Sequence, residues 1–203
     1  MAATKRKIGF YAIAGISAAI IIIGAIFASG IPLPSGSSNQ GILMVSIKDA
    51  PVDLTELWIT IDSLYVQSEQ DDKWTELTLD AGQPVEFDLL TLRDTSLQLS
   101  QNTITAGDYS KIRIGVTSAI ATYNDQKGES HLAETLKVPP GHIDVITSFS
   151  IAGGQATGVL IDMQPDTAAI SQSGNFRPII KASVTPIIPT PTPSPSPSPT
   201  PPP

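Results

Sequence analysis

Apolar residues recur at every second position in one segment of this chain after another. In Gly41–Lys48, Leu43, Val45 and Ile47 alternate with Met44, Ser46 and Lys48. Leu57, Ile59 and Ile61 alternate with Trp58, Thr60 and Asp62; Ile112, Ile114 and Val116 alternate with Lys111, Arg113 and Gly115. Successive side chains of a strand point to opposite faces, so each segment makes a strand with one face to bury and one to leave in water. The apolar phase slips at Leu64 and Val66, which predicts a bulge near Ser63. Trp74–Leu79, Val85–Leu90, His131–Leu136, Ile143–Ile151, Gly158–Met163 and Pro178–Val184 supply further strands, and Asn124–Gly128 a turn. Asp94–Ser100 reads as a single helical turn, and no amphipathic helix appears between Gly41 and Thr185. About eight or nine short strands with closely spaced turns predict an all-β domain, an antiparallel β-sandwich of the immunoglobulin-like or prealbumin-like kind. With no cysteine in the chain, a core and not disulfides must hold it together.

What flanks the strand-rich part is of a different kind. Ile8–Ala28 is a run of 21 residues without charge or proline, directly after Lys5-Arg6-Lys7. As a helix it spans ~30 Å, the thickness of a bilayer's hydrocarbon core. The three cations before it, with no other until Lys48, place residues 1–7 in the cytoplasm. The run therefore reads as a transmembrane signal anchor. It is longer than the apolar stretch of a cleaved signal, although Ala28-Ser29-Gly30 offers a small-residue cleavage site. A pilin-type leader cut after Gly9 is the other alternative; Ala14 stands where such helices usually carry an acid. Residues 29–40 form a flexible spacer, and residues 41–185 the β-domain. From Pro186 to Pro203, 10 of 18 residues are proline, which predicts a disordered polyproline II tail that joins neither sheet nor helix.

Charge separates along the same boundary. Three of the 12 Lys+Arg precede the apolar run and all 19 Asp+Glu follow it, so the exported part carries a net charge of −10. Such a surface repels phosphates, which excludes nucleic acid as a partner. It suits cations or neutral partners such as glycans. No Asn-x-Ser/Thr sequon occurs.

Few residues point to chemistry. Asp49-Ala50-Pro51-Val52-Asp53 follows a strand; Pro51 sets a turn in which Asp49 accepts backbone N–H bonds. The same carboxylates, Asp49 and Asp53, joined by Asp88 and Asp162, are candidate calcium ligands, because calcium takes six to eight oxygens and loops at one end of a sandwich can bring them together. No other cofactor is expected. Trp58 falls on the solvent phase of its strand and is the candidate for stacking on a glycan, with Trp74, Tyr65 and Tyr123 as the other aromatics for such a platform. Tyr109, after Ala106-Gly107-Asp108, is placed to bond backbone as a tyrosine corner. The two histidines, His131 and His142, show no metal-binding or nucleophile motif; a triad of His142, Asp144 and a serine would have to be assembled in space. These observations predict a non-enzyme.

The exported part also resembles the domain-of-unknown-function family 4382, found in exported proteins of archaea and bacteria. The resemblance rests on Gly41–Asp53, with Asp49-Ala50-Pro51-Val52-Asp53 its most specific part, then Phe87-Asp88-Leu89-Leu90 and Ala106–Arg113. Val138-Pro139-Pro140-Gly141, Val159–Asp162 and Arg177–Ile180 follow in order. It implies an exported β-sandwich-like domain and no particular activity. Together these features predict an anchored module of the cell envelope, touching the bilayer through Ile8–Ala28 and an envelope protein or glycan through its β-domain.

Overall fold

The computed structural model describes residues 39–49, 54–125, 127–165 and 169–187. The predicted anchor, the spacer up to residue 38, Asp53, and the tail beyond residue 187 lie outside the described residues; Gln40, at the end of the expected spacer, already belongs to β1. Among the described residues ten strands run in chain order: β1 Gln40–Asp49, β2 Leu54–Ser68, β3 Trp74–Leu77, β4 Val85–Asp88, β5 Leu97–Thr105, β6 Gly107–Asn124, β7 Ser130–Leu136, β8 His142–Ile151, β9 Ala156–Gln164 and β10 Ile179–Ile187. A short 3-10 helix, Leu89–Leu92, follows β4. Among the described residues the fold is all-β, with two sheets.

Two long strands form the middle of the second, six-stranded sheet. β2 and β6 pair antiparallel from Leu54↔Tyr123 to Ser68↔Tyr109. Each is too long for a single edge partner, so β3 and β4 share the free edge of β2, while β7 and β8 share that of β6. Leu57, Ile59, Ile61, Leu64 and Val66 of β2 are all at most 1% exposed. Their spacing changes between Ile61 and Leu64, and the register shifts between Ile61 and Ser63. The bulge foreseen at Ser63 is thus what keeps one apolar face inward over 15 residues.

The first sheet has the order β10-β9-β1-β5. Leu43, Val45 and Ile47 of β1 and Val159, Ile161 and Met163 of β9 share one core with the inner residues of β2 and β6. Each fully buried aliphatic side chain contributes ~1.5–3 kcal/mol before chain entropy is counted. On the outer face, Ile42, Met44 and Ala156 form a small second cluster with Ile187.

Four details differ from the sequence expectation. β1 and β9 run parallel, from Ile42↔Ala156 to Asp49↔Met163, so the first sheet is mixed and not wholly antiparallel. The helical turn lies at Leu89–Leu92, and residues from Leu97 onward belong to β5 instead of the turn expected at Asp94–Ser100. The strand expected over Val85–Leu90 ends at Asp88, whose carboxylate accepts from the Leu90 N–H and starts that turn. β10 extends into the proline-rich segment as far as Ile187. Pro186 is tolerated because β10 is an edge strand, where a missing N–H can face away from the ladder. Ile187 gains by it: its Cδ1 lies 3.3 Å from the point where Gly158 would carry a Cβ.

Candidate functional site

The outer face of the second sheet carries the exposed aromatics. Trp58 is 37% exposed and lies between Asp88 of β4 and Ile120 of β6. Trp74 pairs with Gln67, nine residues further along β2, roughly 30 Å away at the rise of a strand. Tyr65 belongs to the Trp74 end, and Tyr123 is buried on the opposite, core-facing side. The four aromatics therefore do not build one platform, and a glycan-stacking role rests on Trp58 by itself. At the Trp74 end the cationic face of β6 is already engaged. The Arg113 guanidinium sits 4.3 Å from the Trp74 ring centroid. Its Nε and Nη2 donate to the two oxygens of Asp144 at 2.7 and 2.9 Å. That fork holds the Asp144 carboxyl below the usual carboxylate range. His142 Nε2 is 3.8 Å from Asp144 Oδ1.

Tyr109 behaves as expected of a corner. Its hydroxyl donates to the Thr105 carbonyl at 2.7 Å and its ring stacks on Phe149. Burial pushes the phenol's pKa up.

Of the four carboxylates named as calcium ligands, Asp49 and Asp162 are kept apart. Asp49 follows the inward phase of Leu43, Val45 and Ile47, is 2% exposed and lies 3.6 Å from Arg93 Nε. Asp162 pairs across the parallel ladder with Lys48 and reaches its Nζ at 3.2 Å, on the outer face of the same sheet. Neighbouring positions on paired strands alternate faces, so Asp49 and Asp162 are separated by the sheet itself. Asp88 Oδ1 accepts from the N–H groups of Leu57 and Leu90 at 3.2 and 3.1 Å. It works as the cap of the 3-10 helix.

A different set of ligand atoms does converge. At the β6–β7 hairpin, Asp125, Glu129 and His131 each bring one atom within 4.8 Å of the others. Asp125 Oδ1 accepts from the N–H groups of Glu129 and Lys127 at 2.8 and 2.9 Å, which shapes the turn. Those bonds hold Asp125 below the usual carboxylate range, with Glu129's the larger. Oδ2 of the same carboxylate faces His131 Nε2 at 3.8 Å. His131 Nδ1 is 2.5 Å from Glu134 Oε2, and its ring stacks on Tyr123 at 4.6 Å between centroids. Residues three apart in a regular strand point to opposite faces. Here Tyr123 pairs with His131 and Ala121 with Glu134, so Leu132 and Ala133 together oppose Thr122. That bulge, with Ala133 at φ 49°, turns His131 and Glu134 to the same side. The sequence gives no hint of this: the only cue is a histidine flanked by acids around a turn.

The family described as Domain of unknown function (DUF4382) matches residues 40–181. The chain belongs to this family. No curated protein and no solved structure matches it. The segments that carried the DUF4382 resemblance are structural parts of the fold. Phe87-Asp88-Leu89-Leu90 is the end of β4 with its capped helical turn. Ala106–Arg113 opens β6 and holds the Tyr109 corner. Val159–Asp162 is the core of β9, and Arg177–Ile180 leads into β10. In this DUF4382 chain these stretches are therefore strand segments and the capped turn between them.

Proposed function

We propose that this DUF4382 protein is a non-catalytic binding or structural module of the cell envelope: a β-sandwich of the immunoglobulin-like or prealbumin-like kind, held outside the membrane by an uncleaved helix at Ile8–Ala28. The observation that carries this reading is the charge layout. Three cations precede a 21-residue apolar run, and every acid follows it. A second sheet whose outer face keeps Trp58 in solvent supports contact with a neutral partner, a glycan or a protein, through that face. Glycan-dependent adhesion is the narrower form of the same idea, with Trp58 as the stacking ring; the calcium reading of Asp49, Asp53, Asp88 and Asp162 is not carried forward, because the sheet separates Asp49 from Asp162.

One alternative makes the N-terminal helix a filament-packing element after removal of residues 1–9. The intact mass of the protein extracted from membranes separates the readings. The anchor reading expects a chain that retains Lys5-Arg6-Lys7. A chain starting at Phe10 would establish the filament reading instead, and one starting near Gly30 would make the domain a released product.

A further inference from the structure

We propose that Asp125, Glu129 and His131 form a binding site for a divalent transition metal of the zinc type, with Glu134 as the residue that orients the histidine. The inference goes beyond the envelope role and does not depend on it.

The argument starts at the imidazole. Nδ1 lies 2.5 Å from Glu134 Oε2, and an ionised carboxylate only accepts, so the tautomer this contact favours has the proton on Nδ1. In the neutral ring Nε2 is then a bare lone pair. It faces a carboxylate oxygen of Asp125 at 3.8 Å, an arrangement of two acceptors that a cation must reconcile. At 3.8 Å the two atoms are too far apart for a hydrogen bond, and a bound cation would bridge them. Ligands at ~2.0–2.1 Å around a tetrahedral ion lie ~3.4 Å from one another. The three atoms, all within 4.8 Å, need to draw together by about a side-chain adjustment, and Glu129 is exposed with free torsions to make it.

The surroundings match what zinc sites need. A ligating histidine generally donates its other ring nitrogen to a carboxylate, which fixes tautomer and orientation. Glu134 stands in that position, and stacking on Tyr123 fixes the ring plane. Asp125 uses Oδ1 for the turn and keeps Oδ2 toward His131. Two carboxylates and a neutral imidazole balance a doubly charged ion, and imidazole selects zinc-like metals over calcium, which takes oxygen. Three protein ligands leave one position for water or for a side chain of a partner.

The test uses the full-length chain in detergent, stripped with a chelator, and titrated with zinc chloride, cobalt(II) chloride and calcium chloride. One zinc per chain with a raised Tm is expected, and visible absorption from bound cobalt. His131→Gln should abolish saturable binding, and Glu134→Gln should weaken it by about 10–100-fold. His142→Gln should bind like the parent. Far-UV circular dichroism and the metal-free Tm of each variant show that the hairpin still folds. No saturable zinc binding by the parent, equal binding by His131→Gln, or calcium bound as tightly as zinc would each overturn the proposal.

Discussion

Replacing Gly41 by alanine is expected to destabilise the domain by at least ~1–3 kcal/mol, and Gly41→Val to leave it unfolded. Gly41 is the second residue of β1, paired with Ile104 of β5. A Cβ there would fall 2.5 Å from the Ala152 carbonyl oxygen, 2.6 Å from Ile151 Cγ2 and 2.9 Å from the Gln155 carbonyl oxygen. Two of those atoms are backbone and cannot swing aside as a side chain tip can. They belong to the β8–β9 turn, which is tied to the same strand through Ile42 N–H to Gln155 O at 2.9 Å and Gly154 N–H to Gln40 O at 2.8 Å. Admitting a methyl group means separating that turn from β1, and with it the start of the parallel β1–β9 ladder. Urea melts of the full chain in detergent check this. A midpoint for Gly41→Ala equal to the parent's would show that the turn does not press on the strand.

The second large effect is expected at Phe176. Phe176→Ala should cost about 3–5 kcal/mol, the range for emptying a buried aromatic site. The ring is 2% exposed and belongs to the main core. Its backbone is fixed on both sides: Phe176 N–H donates to Lys137 O at 2.7 Å, and Arg177 N–H to Ala169 O at 2.8 Å. A segment bonded this way has little freedom to collapse into the cavity. For a domain of this size the loss corresponds to a Tm lower by roughly 10 °C. Phe176→Leu, which refills most of the volume, should recover more than half of it. Equal melting temperatures for Phe176→Ala and the parent would mean that this segment closes over no core.

Strands and inner faces were legible because burial imposes a period of two, and Leu43, Val45, Ile47 or Ile112, Ile114, Val116 cannot satisfy it in another way. The Ser63 bulge was legible for the same reason, as a slip in that period, and Tyr109 because its glycine-led turn leaves the hydroxyl near backbone. Pairing direction was not legible. β1 and β9 are more than a hundred residues apart, and nothing local in Gly158–Met163 says that its neighbour runs parallel. Pro186 argued against a strand on propensity, yet an edge position and the Ile187 contact over Gly158 outweigh it. The site shows the sharpest contrast. Asp49 and Asp162 attract notice as carboxylates near strand ends, but strand alternation sets them on opposite sides of a sheet. His131 and Glu134 look unremarkable three residues apart; only the bulge at Leu132 and Ala133 unites them. Alternation is a local property and can be read, whereas convergence depends on long-range register and on irregularities in it.

Single-cysteine labelling tests the anchored, outward-facing arrangement most directly, because the chain has no cysteine of its own. Ile146→Cys places the thiol on β8 at a position 81% exposed, and Ala3→Cys places it ahead of the basic residues. A membrane-impermeant maleimide applied to intact cells should label Ile146→Cys fully and Ala3→Cys only after lysis, with both proteins remaining in the membrane fraction after alkaline extraction. Protection of Ile146→Cys in intact cells, or labelling of Ala3→Cys without lysis, would contradict a domain displayed outside on a helix whose start faces the cytoplasm.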